Sequence, residues 1–125
     1  MDSKQKAQKV AEFLSNKKAQ DIKILELKDL TIITDYFVIC SGESTTHVKA
    51  LTEYLQDSMK QQGYKLYGIE GFSNANWVLL DYGDVIVHIF LEDTRRYYDL
   101  ERLWLDAPRI EFEKVTSDKS RVVYR

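Results

Sequence analysis

Apolar residues recur at helical spacing in two segments of the chain, and the segments around them have the composition of β-strands. We predict a first helix from Ser3, an N-cap residue type, and a second over residues 48–59 that ends near Gly63. Residues 22–27 predict one strand and residues 36–40 a second, which is apolar on both faces. A strand of that kind belongs in the middle of a sheet.

The second half of the chain is richer in strand patterns. We predict strands over residues 65–70, 77–82 and 85–91, the last two joined so tightly at Gly83 that they must be antiparallel neighbours. A final helix from Thr94 would end before Pro108. The order αββαβββα predicts an α/β fold with a mixed sheet flanked by helices.

The domain organisation is predicted to be simple. One Pro and five Gly leave no candidate for a flexible linker, so residues 1–107 are interpreted as a single domain. Residues 108–125 form a C-terminal tail. The alternation of Ile110 and Phe112 fits an edge strand there, and the polar residues that follow fit a frayed end equally well.

Composition and charge narrow the class of protein. A chain of 125 residues that is 44% hydrophobic should fold, and one Cys excludes a disulfide scaffold. A net charge of -2 gives no bulk attraction to nucleic acid or anionic membranes. The nearly apolar stretch 85–91 is far shorter than a membrane span, and residues 1–9 lack the apolar core of a signal peptide. We therefore expect a cytoplasmic protein with no membrane partner.

Four polar residues on the predicted strands could form a chemical site. Glu70, Asp81, Asp84 and His88 are residue types that bind a divalent metal or act as acid and base. The alternative is that the two aspartates organise the turn at residues 81–84 and that His88 is a buried strand residue. We favour this second interpretation and expect no metal and no cofactor.

A phosphate-binding turn is the other candidate for chemistry. Residues 41–44 follow a strand and open a helix, where backbone N–H groups can hold a phosphate. Nucleotidyl transfer would also need a pair of carboxylates on an adjoining strand. The sequence offers only Asp99 and Glu101, about 200° apart on a predicted helix. We therefore interpret Ser44 as an N-cap and Cys40 as a core residue, and we expect no catalytic residues.

Aromatic and arginine residues are concentrated in the last third of the domain. Alternation places Trp77, Leu79 and Asp81 on one side of a strand and Val78 and Tyr82 on the other. One side must face the core, and the other is either covered or left as an aromatic binding surface. The residue types that dominate interfaces include Trp77, Tyr82, Arg95, Arg96, Tyr97, Tyr98 and Trp104.

Several of these motifs together resemble the ribosomal silencing factor (Iojap) family. The matching segments are TDYF at 34–37, HV at 47–48, EG at 70–71, NWVLLDYGDVIVHIF at 76–90 and RRYYDLERLW at 95–104. The resemblance covers about residues 7–106. It implies a nucleotidyltransferase-like fold, a mixed sheet flanked by helices, that lacks the catalytic carboxylates.

The resemblance also implies a function without catalysis. Members of the family bind the large ribosomal subunit through its ribosomal protein fourteen and sterically block association with the small subunit. The implied role is to repress translation under nutrient limitation, with ribosome assembly as an alternative role and a homodimer as the free form. No sequence-specific contact with nucleic acid is implied. The partner-facing residues carried over are Trp77, Leu79, Tyr82, Asp84, His88, Arg96 and Tyr98.

Two other classes of protein stay open as alternatives. One is a metal-dependent nucleotidyltransferase that would use residues 41–44 with Glu70, Asp81 and Asp84. The other is an RNA-binding accessory domain of a translation or assembly factor. In that case Arg95, Arg96, Tyr97 and Tyr98 would contact phosphates and bases.

Overall fold

The computed structural model describes residues 2–110, 112–115 and 121–124. Its helices are α1 (Ser3–Asn16), α2 (Thr45–Gln61), α3 (Glu92–Tyr98) and a 3₁₀ helix (Leu100–Trp104). Its strands are β1 (Gln20–Glu26), β2 (Tyr36–Gly42), β3 (Gly68–Glu70), β4 (Trp77–Asp81), β5 (Val85–Leu91), β6 (Arg109–Ile110), β7 (Phe112–Val115) and β8 (Arg121–Tyr124).

The main sheet has six strands in the order β3-β4-β5-β2-β1-β6. The central strands β2 and β5 are parallel, whereas every other pair in this sheet is antiparallel. The predicted α/β fold with a mixed sheet is confirmed. The predicted hairpin of β4 and β5 and the central position of β2 are confirmed as well, and β7 pairs with β8 in a separate two-stranded sheet.

The first face of the main sheet is covered by the two long helices. Each helix has an apolar stripe that is fully buried against the sheet. Burial of this stripe is the main source of the stability of each helix. The stripes are Ala7, Val10, Ala11 and Leu14 in α1, and Val48, Leu51, Leu55 and Met59 in α2. They pack on alternate strand residues, among them Val38, Cys40, Val78, Leu80, Val87 and Ile89.

The second face has a smaller and more aromatic cluster. Leu25, Ile39 and Phe90 are buried there, with Phe37 and Trp77 packed against them. The helical segments that add residues to this cluster are short, because Leu100 and Trp104 come from the five-residue 3₁₀ helix. The two faces of one sheet therefore differ in what covers them.

Three predicted boundaries are wrong, and two of them have an identifiable reason. The N-cap of α1 is Asp2 rather than Ser3, because Asp2 and Gln5 form a reciprocal capping box. Strand β3 begins at Gly68 instead of residue 65. The single helix predicted from Thr94 is two helices, because Asp99 adopts a left-handed conformation (φ 48°) that ends α3.

The start of the tail joins the main sheet. Strand β6 pairs with β1, so the edge-strand interpretation is confirmed for residues 109–110. The polar stretch at 116–120 and Glu111 lie outside the described residues, and the division of the chain at 107/108 stays a prediction. Within the described part of the chain, no helix is both long enough and apolar enough to span a membrane.

Candidate functional site

A row of aromatic rings crosses the second face of the main sheet. Six residues form this aromatic row: Trp104, Phe37, His88, Phe90, Trp77 and Tyr98. The ring centroids of Trp77 and Phe90 are 4.8 Å apart and stacked, and those of Phe37 and His88 are 4.5 Å apart and T-shaped. Tyr98 extends the row, with its centroid 5.1 Å from that of Trp77.

A hydrogen bond inside the row joins β4 to β5. The indole Nε1 of Trp77 donates to Nδ1 of His88 at 3.0 Å. An indole nitrogen can only donate, so Nδ1 must be unprotonated and the neutral ring carries its hydrogen on Nε2. Burial lowers the pKa of His88 to about 4, which keeps the ring neutral and the hydrogen bond intact near pH 7.

The row combines buried and exposed members. His88 is 3% exposed and Phe90 is fully buried, whereas Trp77 is half-buried and Tyr98 is 56% exposed. Leu79 lies two residues from Trp77 on the same side of β4, directly opposite His88, and is also half-buried. The surface therefore shows Trp77, Leu79 and Tyr98, while His88 and Phe90 support them from beneath.

The loop before β4 fixes the position of Trp77. Gly71 has φ 85°, and a Cβ at this position would lie 2.1 Å from the Trp77 carbonyl oxygen. The loop closes with an Ala75 N–H that donates to the Gly71 carbonyl, and Asn76 accepts from the Leu91 N–H. Only glycine allows this close approach of the loop to the strand.

A buried arginine attaches α3 beside the row. Arg95 is 4% exposed, and its Nη1 donates to the Ser41 hydroxyl and to the Asp21 carbonyl, both at 2.9 Å. Its Nε donates to Glu101 at 3.0 Å, and its Nη2 lies 3.4 Å from an Asp21 carboxylate oxygen. This guanidinium is a structural anchor, so the interpretation of Arg95 as a contact for RNA phosphates is wrong.

Four of the seven predicted partner-facing residues lie together. Trp77, Leu79, His88 and Tyr98 share the second face or border it. Tyr82 does not, because its ring is 1% exposed in the core on the first face. We therefore correct Tyr82 to a core residue. Its hydroxyl has no hydrogen-bond partner among the described residues, and burial raises its pKa to about 12.

The other two predicted residues make contacts of their own. Asp84 precedes β5, away from Trp77, and forms an ion pair with Lys6 of α1. Its carboxylate therefore stabilises the first face instead of adding to the aromatic row. Arg96 is exposed on α3 and pairs with Asp93 one turn earlier.

The polar residues weighed as a chemical site do not converge. Asp81 accepts a hydrogen bond from the Gly83 N–H at 2.8 Å, which confirms its predicted role in the turn. Glu70 is exposed on the edge strand β3, and His88 bonds to Trp77. Among the residues that the structure describes, no group of three or more His, Cys, Asp or Glu side chains could hold a metal ion.

The turn at 41–44 has the structural roles expected of it. The Ser44 hydroxyl accepts from the His47 N–H at 3.1 Å, which confirms Ser44 as the N-cap of α2. Cys40 is fully buried in the core, as predicted. His47 also holds this turn in place, because Nδ1 of its ring accepts from the Glu43 N–H and Nε2 lies 2.9 Å from the Lys17 carbonyl oxygen.

Sequence reasoning missed two members of the row, Phe37 and Phe90. Both lie in apolar runs, where hydrophobicity alone does not distinguish the two faces of a strand. Alternation could have identified them, because Phe37 and Ile39 share one side of β2, and His88 and Phe90 share one side of β5. The parallel pairing of Ile39 with His88 then brings these two sides together.

The fold and this face define an α/β protein with two long helices on one side of a mixed sheet and an aromatic row on the other. Over residues 1–123 the chain matches the family model described as "Ribosomal silencing factor during starvation". The chain therefore belongs to the RsfS family, and the match extends the resemblance seen at residues 7–106. Family membership gives the chain a role in ribosome silencing.

Relatives support this assignment at the level of sequence and structure. The chain is 40% identical over 117 residues to "Ribosomal silencing factor RsfS" of Halalkalibacterium halodurans, covering 94% of this chain and all of that protein. It is 36% identical over 95 residues to "Mitochondrial assembly of ribosomal large subunit protein 1" of Mus musculus, covering 74% of this chain and 42% of that protein. A crystal structure from Chromobacterium violaceum superimposes with a TM-score of 0.81 at 36% identity, covering 83% of this chain and 87% of that one.

Proposed function

We propose that this protein binds the large ribosomal subunit through ribosomal protein fourteen and sterically blocks association with the small subunit. Translation would fall as a result when nutrients are limited. The observation that carries the proposal is the aromatic row, which presents Trp77 and Tyr98 at the surface beside Leu79. Exposed clusters of large apolar side chains mark interaction surfaces.

The residue types on this surface suit a protein partner. Trp and Tyr supply large buried area with few rotatable bonds, and they dominate the energy of most interfaces. The centre would be Trp77, because the His88 hydrogen bond and the Phe90 stack hold its ring in place before binding. Ribosomal proteins are commonly basic, so the acidic Glu70 and Asp93 near this centre would steer association.

Blocking subunit association requires affinity and bulk, not chemistry. A folded domain seated on the docking face of the large subunit excludes the small subunit by its volume alone. We therefore propose a regulatory role without catalysis. A homodimer of the free protein would cover the same apolar surface, and it stays a prediction.

The test is sedimentation of the purified protein with separated large and small subunits. We expect comigration with large subunits only, and fewer joined ribosomes as the protein concentration rises. Comigration with large subunits that lack ribosomal protein fourteen would contradict the proposed contact. Normal joining at saturating protein would contradict the steric mechanism.

A role in assembly of the large subunit is the second candidate function. It is favoured by the similarity to the mouse protein named for assembly of the mitochondrial ribosomal large subunit. The two roles differ in the particle that is bound. Binding only to immature large subunits, with no effect on joining of mature ones, would favour assembly.

A further inference from the structure

A groove lies beside Trp77, next to the aromatic row. It lies between the loop at 71–76 and the outer face of α3, and its volume is about 520 Å³. Eight residues line the groove: Gly71, Asn74, Asn76, Trp77, Asp93, Thr94, Tyr97 and Tyr98. Their side chains comprise the aromatic rings of Trp77, Tyr97 and Tyr98, two amides, the aliphatic hydroxyl of Thr94 and one carboxylate.

The charge of the groove has one sign. Asp93 is the only acidic or basic residue among those that line the groove, and its side chain is 85% exposed. The amides of Asn74 and Asn76 and the hydroxyls of Thr94, Tyr97 and Tyr98 all include oxygen atoms that can accept hydrogen bonds from a cation. A lining of this kind attracts a cation and offers an anion such as phosphate no positive partner.

The aromatic walls suit a flat cation. The indole of Trp77 is fixed by its hydrogen bond to His88, and the ring of Tyr97 stands at 88° to that of Tyr98 with centroids 5.1 Å apart. A guanidinium group stacks on aromatic faces and binds a carboxylate with its N–H groups at the same time. An ammonium group can also lie over an aromatic ring, but it lacks the planar fork of N–H groups with which a guanidinium binds a carboxylate.

Arg96 of this chain shows that the Asp93 carboxylate can bind a guanidinium group. In the free protein Arg96 Nη2 pairs with Asp93 across one helical turn. Arg96 is 71% exposed at its side chain, and a pair this open to water is weak and exchanges readily. The guanidinium of a partner could therefore replace that of Arg96 at little cost.

We propose that this groove is a subsite for an arginine side chain of the partner protein, bound between Asp93 and the aromatic walls. Arg96 occupies the carboxylate in the free protein and leaves it on binding. The inference rests on the proposed function for the identity of the partner. It adds a specificity contact beside the apolar centre at Trp77.

The test measures affinity for purified large subunits with labelled protein. We expect Asp93→Asn to weaken binding about 5- to 20-fold and to reduce its salt dependence, since it removes one charge pair. The matched control is Asp99→Asn, because Asp99 is an exposed acid outside the groove and its left-handed conformation tolerates Asn. Equal affinities for the two variants would overturn the subsite.

Arg96→Ala should change the affinity for large subunits in the opposite direction to Asp93→Asn. Removal of the internal competitor should strengthen binding about 2- to 5-fold, an effect that misfolding would not produce. The proposal would be overturned by two results together: Arg96→Ala binds large subunits more weakly, and the wild-type protein binds naked RNA whereas Arg96→Ala does not. Arg96 would then be a contact for RNA phosphates.

A short arginine-rich peptide separates this inference from the proposed function. In the NMR spectrum of the free protein, the peptide should shift the indole N–H resonance of Trp77. This resonance is identified by its absence from the spectrum of Trp77→Phe. The peptide should cause no such shift in Asp93→Asn. If that result holds while the wild-type protein fails to bind large subunits, the proposed function is wrong and the arginine subsite stands. No peptide shift in the wild-type protein would overturn the subsite.

Discussion

Trp77 and His88 are linked by a hydrogen bond between two adjacent strands, with the indole as donor and Nδ1 of the imidazole as acceptor at 3.0 Å. The bond joins a half-buried ring that faces the surface to a ring that is 3% exposed. Since the indole cannot accept, the bond exists only while His88 is neutral. The conformation of the surface tryptophan therefore depends on the protonation state of a buried histidine.

This dependence predicts how stability changes with pH. Burial lowers the pKa of His88 from 6.5 to about 4 in the folded protein. Between these values the unfolded chain binds more protons than the folded one, so the contribution of His88 to stability is complete above pH 6.5 and falls as the pH decreases towards 4. The loss by pH 5 should be about 2 kcal/mol.

Urea denaturation of the wild-type protein and of His88→Gln at pH 7.5 and pH 5 measures this loss. Glutamine keeps an acceptor for the indole but does not titrate, so its free energy of unfolding should fall less than that of the wild type. Parallel decreases in the two proteins would show that His88 is not the group responsible.

Truncation of Trp77 should remove the centre of the proposed interface. We expect Trp77→Ala to weaken binding to large subunits by about 2–4 kcal/mol, which is on the order of 30- to 1000-fold. Trp77→Phe keeps an aromatic ring but loses the hydrogen bond to His88 and part of the contact area, so it should bind with intermediate affinity. A folded Trp77→Ala protein with wild-type affinity would exclude Trp77 from the interface.

The position of Leu79 allows a test of which sheet face binds. Leu79 shares the side of Trp77, whereas Ile69 on the neighbouring strand is opposite Leu80 and so projects to the first face. Leu79→Arg places a charge within the aromatic surface and should weaken binding more than 10-fold, about 1.4 kcal/mol or more. Ile69→Arg is the control, and it should bind normally because Ile69 lies at the edge of the other face. Loss of binding only in Ile69→Arg would place the interface on the first face.

A pair of glycines tests the loop that positions Trp77. Gly71→Ala forces a side chain into a left-handed conformation and against the Trp77 carbonyl, so it should lower the free energy of unfolding by about 1–3 kcal/mol. Gly68→Ala is the matched control, since a Cβ there meets nothing within 4 Å. Its free energy of unfolding should change by about 0.5 kcal/mol or less. Thermal or urea denaturation of both variants is the measurement, and equal stabilities would mean that the loop tolerates the side chain.

Much of the fold could be predicted because each element has its own local pattern. The stripes at Leu14 and Leu55 indicate amphipathic helices, the run at 36–40 indicates a central strand, and the run at 85–91 indicates a further strand. The break at Asp99 could not be predicted in this way. Tyr97, Leu100 and Trp104 keep a helical spacing across it, and the left-handed conformation of one aspartate leaves no mark in that pattern.

Of the candidate site, the sequence indicated the aromatic strand and its neighbourhood but not the set of residues that meet. Tyr82 and Trp77 are five residues apart in one apolar run, and the structure buries the first beneath α1 and α2 and leaves the second on the other face. Arg95 and Arg96 are adjacent and chemically alike, yet one is a buried anchor and the other an exposed partner of Asp93.

The sequence by itself determined that this chain is an α/β domain with an aromatic strand at 77–81, because hydrophobic periodicity is a local property of the chain. Only the tertiary structure decided which face of that strand two long helices cover, and which rings then meet across β2, β4 and β5. Alternation along a strand defines two faces but does not say which face the long helices cover. That choice depends on the register between strands that are distant in sequence and on the helices that pack on them. Both depend on long-range contacts, which no local sequence pattern contains.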